Sequence, residues 1–66
     1  MLNVNKIKGR MRELGLTQKD VAEALNIAQP TANQKINNVR PLDLEEAEKL
    51  SVLLKIEDAE FAAYFF

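Results

Sequence analysis

Residues 29–35 read QPTANQK, which places three carboxamides, one hydroxyl, one lysine and a proline within seven positions. Carboxamides donate and accept hydrogen bonds, so the stretch is equipped to touch a partner rather than to move protons. Catalytic chemistry finds no support elsewhere in the chain. There is no cysteine and no histidine, which removes disulfides, thiolate and imidazole chemistry and most zinc sites. Ser51 is the only serine, and no base of suitable type accompanies it.

Size and charge narrow the function further. A chain of 66 residues supports one small core and no large catalytic cleft, because such a chain buries only about 60% of its unfolded surface. The apolar fraction of 47% and the charged fraction of 29% are those of a globular protein. No apolar run approaches the roughly 20 residues of a membrane span, and MLNVNKIKGR lacks the apolar segment of a signal peptide, so a cytoplasmic protein is expected. The net charge of -1 hides an asymmetry. Residues 1–40 carry seven basic and three acidic residues, whereas residues 41–66 carry two basic and seven acidic. One face can therefore attract phosphates while the whole stays acidic, although ordinary solvated helix charge gives a similar pattern.

The elements that must position QPTANQK follow from apolar spacing and capping signals. Val4, Ile7, Met11 and Leu14 predict an amphipathic helix over 4–14, ended by Gly15, with Lys6, Lys8, Arg10 and Arg12 on its solvated faces. Thr17 with Asp20 is a capping signature, and Leu16 with Val21 is a hydrophobic staple, so a second helix is expected over 18–25. Asn26 suits a left-handed turn, and Ile27 can fold back onto the core. Pro30 is tolerated within a first turn, where its missing N–H has no partner to lose. A third helix from Gln29 to about Asn37 would turn Ala32 and Ile36 inward and Pro30, Gln34 and Asn37 outward. NNVRP reads as a loop. Asp43 and Glu46 then cap a fourth helix with the stripe Leu44, Ala47, Leu50, Leu53 and Leu54, and Glu57 or Asp58 starts a short fifth.

The stretch LGLTQKDVAEALNIAQPTANQKINNVRP, followed by LDLEEAEKL, resembles the helix-turn-helix domain of the lambdoid phage repressor and Cro family, the Xre-like regulators. The resemblance covers nearly the whole chain. It implies an all-α, compact, four- to five-helix lambda-repressor-like domain over residues 1–66, with the motif at about 17–37. It also implies double-stranded operator DNA as the partner, with no cofactor, no metal, no small-molecule substrate and no enzymatic activity. By position, Gln29, Pro30, Asn33 and Gln34 match the family's base-contacting residues, where amides pair with adenine edges and apolar atoms meet thymine methyls. Gln18, Thr31, Lys35, Asn38 and Arg40 match its contacts to the DNA backbone. The implied role is a transcriptional regulator, either a phage Cro-like protein or a repressor, that binds a palindromic operator as a dimer in a bacterial host cell.

Departures from the family pattern are informative. Ala28 stands where a capping Ser is frequent, Asn26 and Asn38 replace turn glycines, and Val39 replaces a basic residue. Met11 and Ile36 occupy positions where many members pair an Arg with a Glu, an exchange that removes both buried charges together and predicts a contact between the two. The aromatic residues Phe61, Tyr64, Phe65 and Phe66 cluster at the C-terminal end. They are expected to complete a small core, to form a homodimer interface, or to do both on different faces. A different class of function is a helical protein-interaction module, such as an antirepressor, that keeps the fold without binding DNA.

Overall fold

The computed structural model describes residues 2–66. Its helices are α1 (Val4–Leu14), α2 (Gln18–Leu25), α3 (Gln29–Ile36), α4 (Leu44–Leu53) and α5 (Phe61–Phe65), the last preceded by a 3-10 turn at Asp58–Glu60. No strand occurs among the described residues. Each of the first four helices stops in the same way. Gly15, Asn26, Asn38 and Lys55 adopt left-handed backbone, with φ of 68°, 55°, 59° and 54°. The next residue in each case bonds back five positions: Leu16 N–H to Met11 O, Ile27 to Ala22, Val39 to Gln34 and Ile56 to Ser51, at 2.8–3.0 Å. This is the Schellman ending, which satisfies carbonyls that a helix end leaves without partners. An apolar residue follows every reversal, and Leu16, Ile27 and Ile56 pack against the core. Val39 is the exception at 72% exposed.

The starts of the helices are equally local. Asn3 accepts the Lys6 N–H at the head of α1. Reciprocal capping boxes join Thr17 with Asp20 at α2 and Asp43 with Glu46 at α4, in line with the sequence signatures. Ala28 precedes α3 in extended backbone with no side-chain cap, and Pro30 lies in the first turn.

Ile7, Val21, Ile36, Leu50 and Leu54 are the largest fully buried side chains. α2 lies against both α3 and α4, while α1 packs on α3 and α5. Met11 and Ile36 are both in this core, and no charged residue is buried among the described residues. Phe65 is buried and Phe61 and Tyr64 are half-buried, so much of the aromatic tail completes the core. Phe61 stacks on Phe65 at 4.6 Å between centroids. The Asn3 N–H donates to the Tyr64 carbonyl, and Lys6 sits over the Tyr64 ring, so α5 is held against the start of α1.

Two expectations fail. Apolar spacing puts Leu44 in the inward stripe of α4, yet it is 62% exposed. At 3.6 residues per turn it lies roughly 90° from the line through Ala47, Leu50 and Leu54, at the edge of the stripe. Arg10 is expected among solvated charges, but its Nε donates to Leu54 O at 2.8 Å and its terminal nitrogen to Lys55 O at 3.3 Å. The guanidinium thus satisfies carbonyls at the end of α4 and places positive charge at the negative pole of that helix.

Ala28 has the backbone of an N-cap and lacks only the oxygen. Ala28→Ser is expected to stabilise the fold by about 1 kcal/mol, measured by urea denaturation; an unchanged midpoint would show that the N-terminal N–H groups of α3 gain nothing from a side-chain acceptor.

Candidate nucleic-acid interface

α2 and α3 are joined by a short reversal at Asn26–Ala28, and the surface they share begins at the start of α2. Thr17 N–H donates to the Asp20 carboxylate at 2.7 Å, and the Thr17 hydroxyl donates to the same oxygen at 3.0 Å. Asp20 N–H in turn donates to Thr17 Oγ1 at 3.4 Å. The Thr17 backbone N–H, and then the Thr17 hydroxyl, hold the Asp20 carboxyl below the usual carboxylate range. This cap fixes the first turn of α2, where Gln18 is the first helical residue and half-buried.

On α3, Ala32 and Ile36 are 0% and 1% exposed, so the helix is pinned by one stripe and the rest of its circumference is set. Gln29, Pro30 and Gln34 are exposed, and Thr31 and Asn33 are half-buried on the flanks. The side chains of Gln29 and Gln34 make no hydrogen bond among the described residues. Asn33 is more constrained. Asn37 Nδ2 donates to the Asn33 carbonyl at 2.8 Å and approaches Asn33 Oδ1 at 3.4 Å, which orients the Asn33 carboxamide. Sequence reasoning assigns Asn37 only an outward direction; its i, i+4 spacing to Asn33 is the signal that could have revealed the pairing.

The loop after α3 folds back on Gln34, whose carbonyl accepts the N–H groups of both Val39 and Arg40. The backbone of Gln34 is therefore anchored while its side chain projects outward. Asn38 and Arg40 are exposed beside it. Lys35 departs from the expected arrangement. Its ammonium hydrogen-bonds both carboxylate oxygens of Glu46, and the two side chains are only 16% and 15% exposed. The one cation of α3 is thus directed toward α4, and Glu46 has a second role beyond the cap that its spacing from Asp43 predicts.

The surface so assembled is a fixed helix with an uncharged, amide-rich outer face, flanked by a capped helix start on one side and an exposed arginine on the other. Such a face can form hydrogen bonds in pairs and meet apolar groups. Two helices packed around a left-handed reversal, with the second presenting that face, constitute a helix-turn-helix. The helix-turn-helix family model matches residues 7–61, and the chain belongs to this Xre and lambda-repressor-like family. It is accordingly a lambda-repressor-like fold and a DNA-binding regulator. Neither curated proteins nor solved structures gave a match. No helix among the described residues is long and apolar enough to cross a membrane.

The Thr17–Asp20 cap makes a prediction about pH. Because folding lowers the Asp20 pKa, its contribution is complete above the unfolded carboxylate pKa and is lost as the pH falls through the folded value. Asp20→Asn should lower Tm at neutral pH, with the deficit narrowing in acid. Circular dichroism melts across that range check this, and a constant deficit would contradict it.

Proposed function

We propose that this protein is a sequence-specific, double-stranded-DNA-binding transcriptional regulator of the phage Cro-like or repressor type, with residues 1–66 acting as one DNA-binding domain. The observation that carries the proposal is the exposed Gln34 on the side of α3 opposite its fully buried stripe, Ala32 and Ile36, with the exposed Gln29 projecting from the N-terminal end of the same helix. A helix so fixed can lie in the major groove with its amides at base edges and Pro30 toward a thymine methyl. Asn33 joins these from the flank. Gln18, Thr31, Asn38 and Arg40 surround this row and are assigned to the DNA backbone. Gln18 lies at the start of α2, where the positive helix pole favours a phosphate.

Gln34→Ala should reduce discrimination between the preferred site and single-base variants by about 1–3 kcal/mol, while binding to mixed-sequence DNA changes little. Anisotropy titrations on a site selected from a random pool measure both. Equal losses on the two DNAs would remove the base-reading role.

The palindromic operator requires a dimer whose two recognition helices stand about 34 Å apart. Phe66 is 74% exposed and Leu44 62% exposed, and they border one cleft with Leu2, Leu42 and Phe65. An apolar knob beside an apolar recess suits a two-fold interface, in which each copy presents the same patch. Phe66→Ser should weaken self-association by about 2 kcal/mol, as read by sedimentation; unchanged self-association would place the interface elsewhere.

The same apolar residues, together with Val52 at 77% exposed, favour a second reading as a protein-interaction module. Failure to prefer any DNA fragment at low or moderate salt would select that reading.

A further inference from the structure

We propose that Glu46 is a positioning residue that withholds Lys35 from DNA phosphates and so sets the sequence-independent part of the affinity, an inference that rests on the DNA-binding reading above. Lys35 is four residues beyond Thr31 on α3, so both lie on the same flank of the helix. That flank borders the outer row of amides, and a lysine there, left to itself, has the length to reach a backbone phosphate. It is not left to itself. Its ammonium is held by both oxygens of Glu46, with both side chains largely covered.

The carboxylate that holds it is itself immobilised. Glu46 Oε1 accepts the Asp43 N–H at 3.1 Å, and the Glu46 N–H donates to Asp43 Oδ1 at 2.7 Å. One side chain therefore closes the capping box of α4 and tethers the only cation of α3. A carboxylate fixed near the positive pole of its own helix loses little further freedom when it binds an ammonium, which distinguishes this pair from a mobile surface ion pair. The consequence for DNA is electrostatic. Each phosphate neutralised by a side-chain cation makes the log–log dependence of affinity on salt steeper by about 0.9. With Lys35 tethered, that increment is absent, and the recognition helix meets DNA through neutral groups.

The test compares salt slopes for binding mixed-sequence double-stranded DNA, by anisotropy, in the parent, Glu46→Gln and the Lys35→Gln/Glu46→Gln pair. Gln at 46 keeps the capping geometry while removing the charge. Glu46→Gln should bind more tightly and steepen the slope by about 0.9, and the paired variant should return to the parent slope. A parent slope in Glu46→Gln overturns the proposal. So does a paired variant whose slope is shallower than the parent by about 0.9, since Lys35 would then already sit on a phosphate. The paired variant is neutral at both positions and separates these outcomes even if Glu46→Gln alone loses its helical signal. If the parent binds no DNA at low salt, the DNA-binding reading falls and this one with it, an outcome distinct from either slope result.

Discussion

Burial of Ala32 and Ile36 in the core, where α3 packs against α1 and α2, underlies the whole candidate interface. α3 has eight residues, no side-chain cap and a proline in its first turn. A helix of that length is not stable alone in water, where about 12–15 residues are marginal even for good helix formers. It forms because two side chains on one stripe enter a core already built from Ile7, Val21, Leu50 and Leu54. Packing thus has two effects at once. It supplies the stability that local signals withhold, and it fixes the rotation of the helix, so Gln34 faces outward, Asn33 lies on the flank and Gln29 projects from the N-terminal end.

The chain reversals make that packing possible within so few residues. Four helices end in the same left-handed motif, which turns the chain sharply while satisfying carbonyls that would otherwise need water. Asparagine at two of these positions serves where a glycine would, since its short polar side chain tolerates the conformation. The exposed Val39 marks the one ending whose apolar residue does not return to the core. It lies at the far end of α3, beside Asn38 and Arg40, so this corner of the surface is shaped by a reversal and not by a packed side chain.

Charge is used structurally to an unexpected degree. Arg10 closes the end of α4, Lys35 ties α3 to the start of α4 and Lys6 sits over the Tyr64 ring, so three of the basic side chains in the first forty residues act within the molecule. The asymmetry between a basic first part and an acidic second part is therefore partly internal pairing. What remains on the helix-turn-helix face is mostly neutral hydrogen-bonding capacity, which suits contacts that depend on geometry more than on total charge.

Helix extents, both capping boxes, the left-handed turns at Gly15 and Asn26, and the inward stripe of α3 are legible in the sequence, because each is decided by residues within about one helical turn of one another; the turn at Asn38 is legible only through the family resemblance. The family resemblance is legible for the same reason: its motifs are runs of such local signals. The fates of Arg10, Lys35, Leu44 and Phe66 are not. Arg10 meets carbonyls 44 and 45 residues away, and Lys35 meets a carboxylate on the next helix. Leu44 and Phe66 lie where an apolar stripe runs out, a boundary set by how neighbouring helices cross. Local sequence signals dictate where the helices start, stop and face. Which charges and apolar side chains stay open to a partner is settled only by packing in three dimensions, because it depends on which groups from distant parts of the chain reach them first.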